Sequence, residues 1–180
     1  MHQALDINRT LNSFLRHQIP QTHTYFGRAD DAFRRRIEGF LRDYNSLPEE
    51  PYEGCMYARI IQGQLGKEGS LLIRFPEMLD RTVLPLHIHP KSDRLIYIRR
   101  GEGEFDVVSN GGNMLYTIPV IQGDIVNFPK GTIHTFVPLQ DEMSVYAIHN
   151  PFQRLDDEEI LAKEAVDPAI KRIRRSNCWR

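Results

Sequence analysis

85-PLHIHPKSDRLIYIRRGEGEF-105 places two histidines one residue apart, His87 and His89, ahead of an apolar run, Leu95-Ile96-Tyr97-Ile98. On a strand, side chains alternate faces, so residues i and i+2 project to the same side. Two imidazoles spaced in this way can converge on one metal ion. The run from Leu95 to Ile98 reads as the following strand, closed by a turn at Gly101. At its head stands Arg94. Where an acidic ligand would serve a metal, this chain carries a cation. Histidines on strands are more often packed or solvent-facing than ligating, so the reading depends on what surrounds these two.

Outward from this stretch, residues 54–150 have one texture. Short apolar or alternating runs (CMYARIIQ, SLLIRF, EFDVVS, MLYTIPVI, MSVYAIH) are separated by turn signals such as GQLGKEGS, NGGN, QGD and PKGT. About nine short strands at regular spacing predict an antiparallel sandwich or barrel. There is no βαβ alternation. The glycines of 101-GEGEF-105 form a turn between strands and lack the following helix that a phosphate loop requires.

A second histidine segment, 123-GDIVNFPKGTIH-134, ends at His134. Together the two segments resemble the paired motifs of the cupin superfamily. The first family motif runs from a glycine through H-x-H and a glutamate to a closing glycine. Here it reads His87-x-His89, four residues, Arg94, six residues, Gly101. The second reads Gly123, five residues, Pro129-x-Gly131, two residues, His134, matching the family spacing from its first glycine through the histidine. The departures are Arg81 at the leading glycine, Arg94 at the glutamate and Pro138 at the closing asparagine. The middle one removes a metal ligand. The resemblance covers roughly residues 54–150.

It implies an all-β core, a double-stranded β-helix or jelly-roll barrel, with a divalent metal held inside by His87, His89 and His134. Imidazole suits iron, zinc, nickel and copper, and manganese also fits the family pattern; iron stands first among them. The implied activity is metal-dependent, with dioxygenation foremost. The alternatives are a non-catalytic ligand-binding or sensor cupin, and a metal-independent isomerase or epimerase.

Alternation sets Arg94 on one face with Ile96 and Ile98, and Leu95, Tyr97 and Arg99 on the other. The isoleucines suit the barrel interior, so Arg94 is expected to point toward the histidines. Three readings follow. Arg94 sits beside a three-histidine metal and grips an anionic substrate bidentately, as the catalytic residue of the set. Alternatively, Asp93 swings in as an acidic ligand, one residue out of register. In the third, Arg94 anchors an anion among neutral histidines without a metal. Weaker candidates are His149, Tyr57, Tyr97, Tyr116, Tyr146, Arg59 and Arg74, each with a packing or surface role as the simpler account. Cys55 reads as a small buried hydrophobe.

The flanks read as helical. In 3-QALDINRTLNSFLRH-17 and 30-DDAFRRRIEGFLRDYNSL-47 apolar residues recur at helical spacing, Phe33, Ile37, Phe40, Leu41 and Tyr44 in the second. Asp30 and Asp31 suit its N-terminus. In 156-DDEEILAKEAVDPAIKRIRR-175 acids lead and bases trail, as a helix dipole favours. The expected organisation is a helical extension over 1–50, a barrel over 51–152 and a helical segment over 153–180.

The chain of 180 residues has 41% hydrophobic and 26% charged residues and a formal net charge of -1. That balance argues against a nucleic-acid partner, which calls for a basic excess. No run approaches a membrane span, and two unpaired-looking cysteines suggest no disulfide framework. The expectation is a cytoplasmic homodimer acting on a small anionic molecule, without nucleic acid or membrane as partner.

Overall fold

The computed structural model describes residues 7–52, 56–62, 69–79, 84, 86–151 and 159–160. In chain order these form α1 (Ile7–Asn12), β1 (Leu15–Gln18), β2 (Tyr25–Arg28), α2 (Asp31–Arg42), β3 (Glu50–Tyr52), β4 (Met56–Gln62) and β5 (Gly69–Phe75). There follow β6 (His87–Ile88), β7 (Asp93–Arg100), β8 (Glu102–Val108), β9 (Leu115–Ile121), β10 (Asp124–Phe128), β11 (His134–Pro138), β12 (Met143–Asn150) and β13 (Glu159–Ile160). Two antiparallel sheets face each other. One has the order β1-β2-β10-β7-β12-β5-β4-β3, the other β13-β6-β11-β8-β9. This is a jelly-roll barrel, as expected.

The core between the sheets is built from alternate residues of both. Ile73, Ile98, Val126, Val145 and Ala147 from the larger sheet meet Phe105, Val107, Ile118, Val120 and Phe136 from the smaller. The other face of the larger sheet is also covered. Leu95, Tyr97, Ile125, Tyr146 and Ile148 pack under Leu11 of α1 and Phe33, Ile37 and Leu41 of α2. A sheet buried on both faces needs apolar residues at consecutive positions, which is why SLLIRF and MSVYAIH read as continuous rather than alternating runs.

Helix α2 forms where its periodicity predicts. The Asp30 side chain caps it, accepting from the Phe33 backbone N–H at 2.7 Å. Before it, the structure corrects the helical reading of the N-terminal segment. Among the described residues of this segment, Ile7–Asn12 are helical; β1 and β2 form a hairpin that joins the larger sheet through β10. Two observations explain the difference. Phe26 and Ile19 reach the inter-sheet core from this hairpin, a gain no isolated helix offers. Gly27 allows the chains to close, because a Cβ there would lie 1.9 Å from the Phe14 carbonyl oxygen.

At the other end, most of the expected helical segment lies outside the described residues. The part described, Glu159–Ile160, is a strand rather than a helix and pairs with β6, Glu159 opposite Ile88 and Ile160 opposite His87. The short strand β6 has β11 on one side only, and pairing its other edge satisfies backbone groups that a helix there would leave open.

Candidate metal centre

The three histidines of the motifs converge. His87 on β6 stands opposite His134 on β11 in register. His89 follows two residues on and shares the face of His87. All three are buried, and one ring nitrogen from each lies within 4.8 Å of the others. Ring centroids are 4.6 Å apart for His87 and His134, 5.0 Å for His87 and His89, and 5.3 Å for His89 and His134. Three imidazole donors at this spacing fit a divalent metal with open positions beside it.

The second motif prepares His134 in two ways. Its Nδ1 lies 2.8 Å from the Thr132 carbonyl oxygen, an acceptor, so Nδ1–H donates and Nε2 keeps its lone pair. Its ring stacks on Phe128, centroids 4.3 Å apart and planes 2° from parallel. The PKG turn makes this possible. Gly131 adopts φ +78°, a backbone state that favours glycine, and the Thr132 N–H donates to the Pro129 carbonyl at 3.1 Å. The turn is tied to the first motif: the Gly131 N–H donates to the His89 carbonyl at 2.9 Å, and the Lys130 N–H to Asp93 Oδ1 at 2.8 Å.

That last bond removes one sequence-based alternative. Asp93 is exposed and braces the turn from outside, so it is not an acidic ligand out of register. Arg94 points inward, as alternation predicts, and is 4% exposed. Its Nη1 donates to Ser92 Oγ, and its Nη2 lies 2.8 Å from His89 Nδ1. A guanidinium is always a donor, so His89 Nδ1 is the acceptor. The remaining proton of a neutral His89 then sits on Nε2.

Burial is the main cause that holds the pKa of His89 far below the ordinary imidazole range, with His134, Arg94 and His87 adding like-charge repulsion. His134 is lowered for the same first reason, then by His87; the Thr132 carbonyl pulls modestly the other way. His89 and His134 are therefore neutral, which metal ligation requires.

The histidines and Arg94 open on a cavity of about 70 Å³. His149 lines it too, directly opposite Arg94 in the β7–β12 register. Further along, Ile96 faces Ala147 and Ile98 faces Val145, and Phe105, Phe136, Ile73 and Phe75 add apolar wall. One end of the cavity is thus cationic and imidazole-rich, the other apolar. Sequence reasoning passed over Tyr52 and Ser92, and gave His149 a structural role. The alternation of Val145, Ala147 and His149 was the signal that places His149 inside; nothing local marks Tyr52 or Ser92.

The remaining candidates lie elsewhere. Tyr97 and Tyr146 face the helices. Arg59 and Arg74 both pair with Glu49, at 2.9 and 3.0 Å, and Arg74 lies over the Tyr57 ring. Tyr116 packs partly buried against the core. Cys55 is outside the described residues.

Among known proteins, the Cupin family model matches residues 77–165. Germin-like protein 8-14 of Oryza sativa subsp. japonica is 35% identical over 95 residues, 51% of this chain and 45% of that one. The matched stretch thus spans under half of that relative's length. Among solved structures, oxalate decarboxylase from Bacillus subtilis superposes with TM-score 0.54 and 17% identity, over 74% of this chain and 35% of that one. The formate complex of Lactobacillus farciminis oxalate decarboxylase gives 0.51 and 19%, over 65% and 34%. A uridine complex of Streptomyces PAC13 gives 0.51 and 14%, over 66% and 86%. At these identities the structural likeness is one of fold.

Proposed function

Because this chain belongs to the cupin superfamily, we propose that its barrel interior is a metal-dependent catalytic site for a small anionic molecule. His87, His89 and His134 are the metal ligands in this reading, and Arg94 orients the substrate. The convergence of three buried imidazoles with one buried guanidinium on a single cavity carries it. A divalent ion so held supplies Lewis acidity and open positions for substrate or dioxygen. Iron with oxygen chemistry is the reaction we put first, from what cupins commonly do; zinc, nickel, manganese and copper suit the same donors.

The chain's own residues define the substrate class. Arg94 matches a carboxylate in planar, bidentate geometry. The cavity of about 70 Å³ is far below the 300 Å³ or more typical of drug-sized ligands, so the anion is small. Oxalate and formate, the anions named for the decarboxylase structures, are of that size. Phe75, Phe105 and Phe136 make the far side of the cavity apolar. A cytoplasmic homodimer belongs to the same reading; sedimentation and cell fractionation test it.

Metal analysis is the first experiment. We expect stoichiometric divalent metal in protein purified with a small carboxylate present, lost in His134→Ala, with oxygen uptake by the loaded protein. Substoichiometric metal that His134→Ala leaves unchanged would sink the enzyme reading. A second reading, a non-catalytic ligand-binding cupin, has one observation in its favour: Arg94 occupies a His89 nitrogen. Anion binding that survives complete chelation of metal would support it.

A further inference from the structure

Arg94 and the metal make incompatible demands on His89. A neutral imidazole has one lone pair and one N–H. Arg94 Nη2, 2.8 Å from His89 Nδ1, uses the lone pair, and the proton is left on Nε2. While that contact stands, His89 has no electron pair for a metal at either nitrogen. His134 is the opposite case, with Nδ1–H given to Thr132 and Nε2 open. Arg94 also reaches Ser92, on the same side of the cavity, so the guanidinium has a local partner that persists when it turns from His89.

An anion in the cavity changes the competition. It offers the guanidinium a charged, bidentate acceptor in place of an imidazole nitrogen, which is the stronger bond. It also lies between Arg94 and the ion, replacing their mutual repulsion by two attractions. Resting on the metal-site reading above, we infer that Arg94 is an anion-operated gate on His89, so that the third metal ligand becomes available only when a small carboxylate engages the guanidinium. Metal and carboxylate then bind cooperatively, and linkage requires each to tighten the other by the same factor. A ligand that bound metal-free and metal-loaded protein equally would produce no such effect.

Two measurements test the gate. The first needs neither metal nor variant. Long-range proton–nitrogen correlation spectra of the wild-type apoprotein assign the imidazole tautomers. The gate requires His89 to carry its proton on Nε2 and His134 on Nδ1; a His89 protonated on Nδ1 overturns it. The second follows cobalt(II) binding by its visible absorption, with and without excess formate. In the wild type, formate should strengthen cobalt binding at least about tenfold. Arg94→Met, which keeps the length of the stem, should bind cobalt more tightly than the wild type without formate and show no formate enhancement. A wild-type affinity indifferent to formate, or an enhancement unchanged in Arg94→Met, overturns the gate. His87→Ala and His134→Ala separate the two ideas. If both abolish cobalt binding while the formate effect is absent, the gate alone fails. If neither alters cobalt binding, the metal-site reading fails and takes the gate with it.

Discussion

His134 and His89 lie 5.3 Å apart, ring to ring, yet their second nitrogens face opposite kinds of partner. His134 Nδ1 meets a carbonyl, which accepts. His89 Nδ1 meets a guanidinium, which donates. The first arrangement leaves a ligating lone pair; the second consumes it. The two rings also differ in what holds them. The His134 ring stacks on Phe128 and bonds a backbone carbonyl, whereas the polar partner of the His89 ring is the end of a long side chain. Proximity of histidines thus describes a site incompletely. What the other ring nitrogen touches decides whether a histidine is ready to bind.

The largest expected effect comes from breaking the prepared half. Phe128 is 1% exposed and supports both His134 and Phe105, whose ring centroid is 5.0 Å away. Phe128→Ala should destabilise the protein by about 3–5 kcal/mol in urea unfolding, the usual range for a core phenylalanine. Metal affinity should fall as well, measured by cobalt titration on the protein that remains folded. Unchanged stability would mean that the stacking contact contributes little.

Acid treats both halves alike, and so sharpens the contrast with metal. In the folded apoprotein His89 and His134 resist protonation far below the ordinary imidazole range, chiefly through burial. In the unfolded chain they take protons near pH 6.5. The unfolded state therefore binds more protons below that pH, and stability falls as pH drops from about 6.5. The slope should approach about 1.4 kcal/mol per pH unit for each histidine. Unfolding curves between pH 7 and 5 on His134→Gln and the wild type check the contribution of one ring.

Arg94→Glu should make the two halves alike. A carboxylate beside His89 accepts from Nδ1–H, which frees Nε2, or itself ligates. We expect metal affinity to rise at least about tenfold, roughly 1.4 kcal/mol, and to lose any dependence on formate. A weaker metal site in a well-folded Arg94→Glu would show that the guanidinium does not oppose the metal. The smallest effect is at the tether. Asp93→Ala removes the acceptor of the Lys130 N–H bond at an exposed position and should cost about 1 kcal/mol or less. Its trace should be greater mobility of the 129–132 turn in hydrogen exchange.

Much of this site is written in local pattern. The i, i+2 spacing of His87 and His89 and the Pro129-x-Gly131 turn before His134 are short-range features, and strand alternation alone turned Arg94 inward and Tyr97 outward. Alternation also places His149 in the cavity with Val145 and Ala147, although a lone strand histidine argued for a structural role. The N-terminal hairpin was less legible. Leu11, Phe14 and Leu15 satisfy helical spacing, and only the partner strand β10 and the close approach at Gly27 select a strand from Leu15 onward. Glu159 and Ile160 sit in a run of helix-forming residues but complete the edge of β6.

By itself the sequence determined an antiparallel sandwich or barrel and the face that Arg94 occupies, because these follow from periodicities of two residues; the jelly roll and the grouping of the three histidines came with the resemblance of the two motif segments to those of cupins. Only the tertiary structure decided which nitrogen each partner engages. Ser92, His89 and Arg94 lie within five residues of one another, but the direction of a guanidinium depends on the walls around it. Those walls come from β5, β8, β11 and β12, far apart in the chain. A hydrogen bond is directional to a fraction of an ångström, and no periodicity of sequence carries that information.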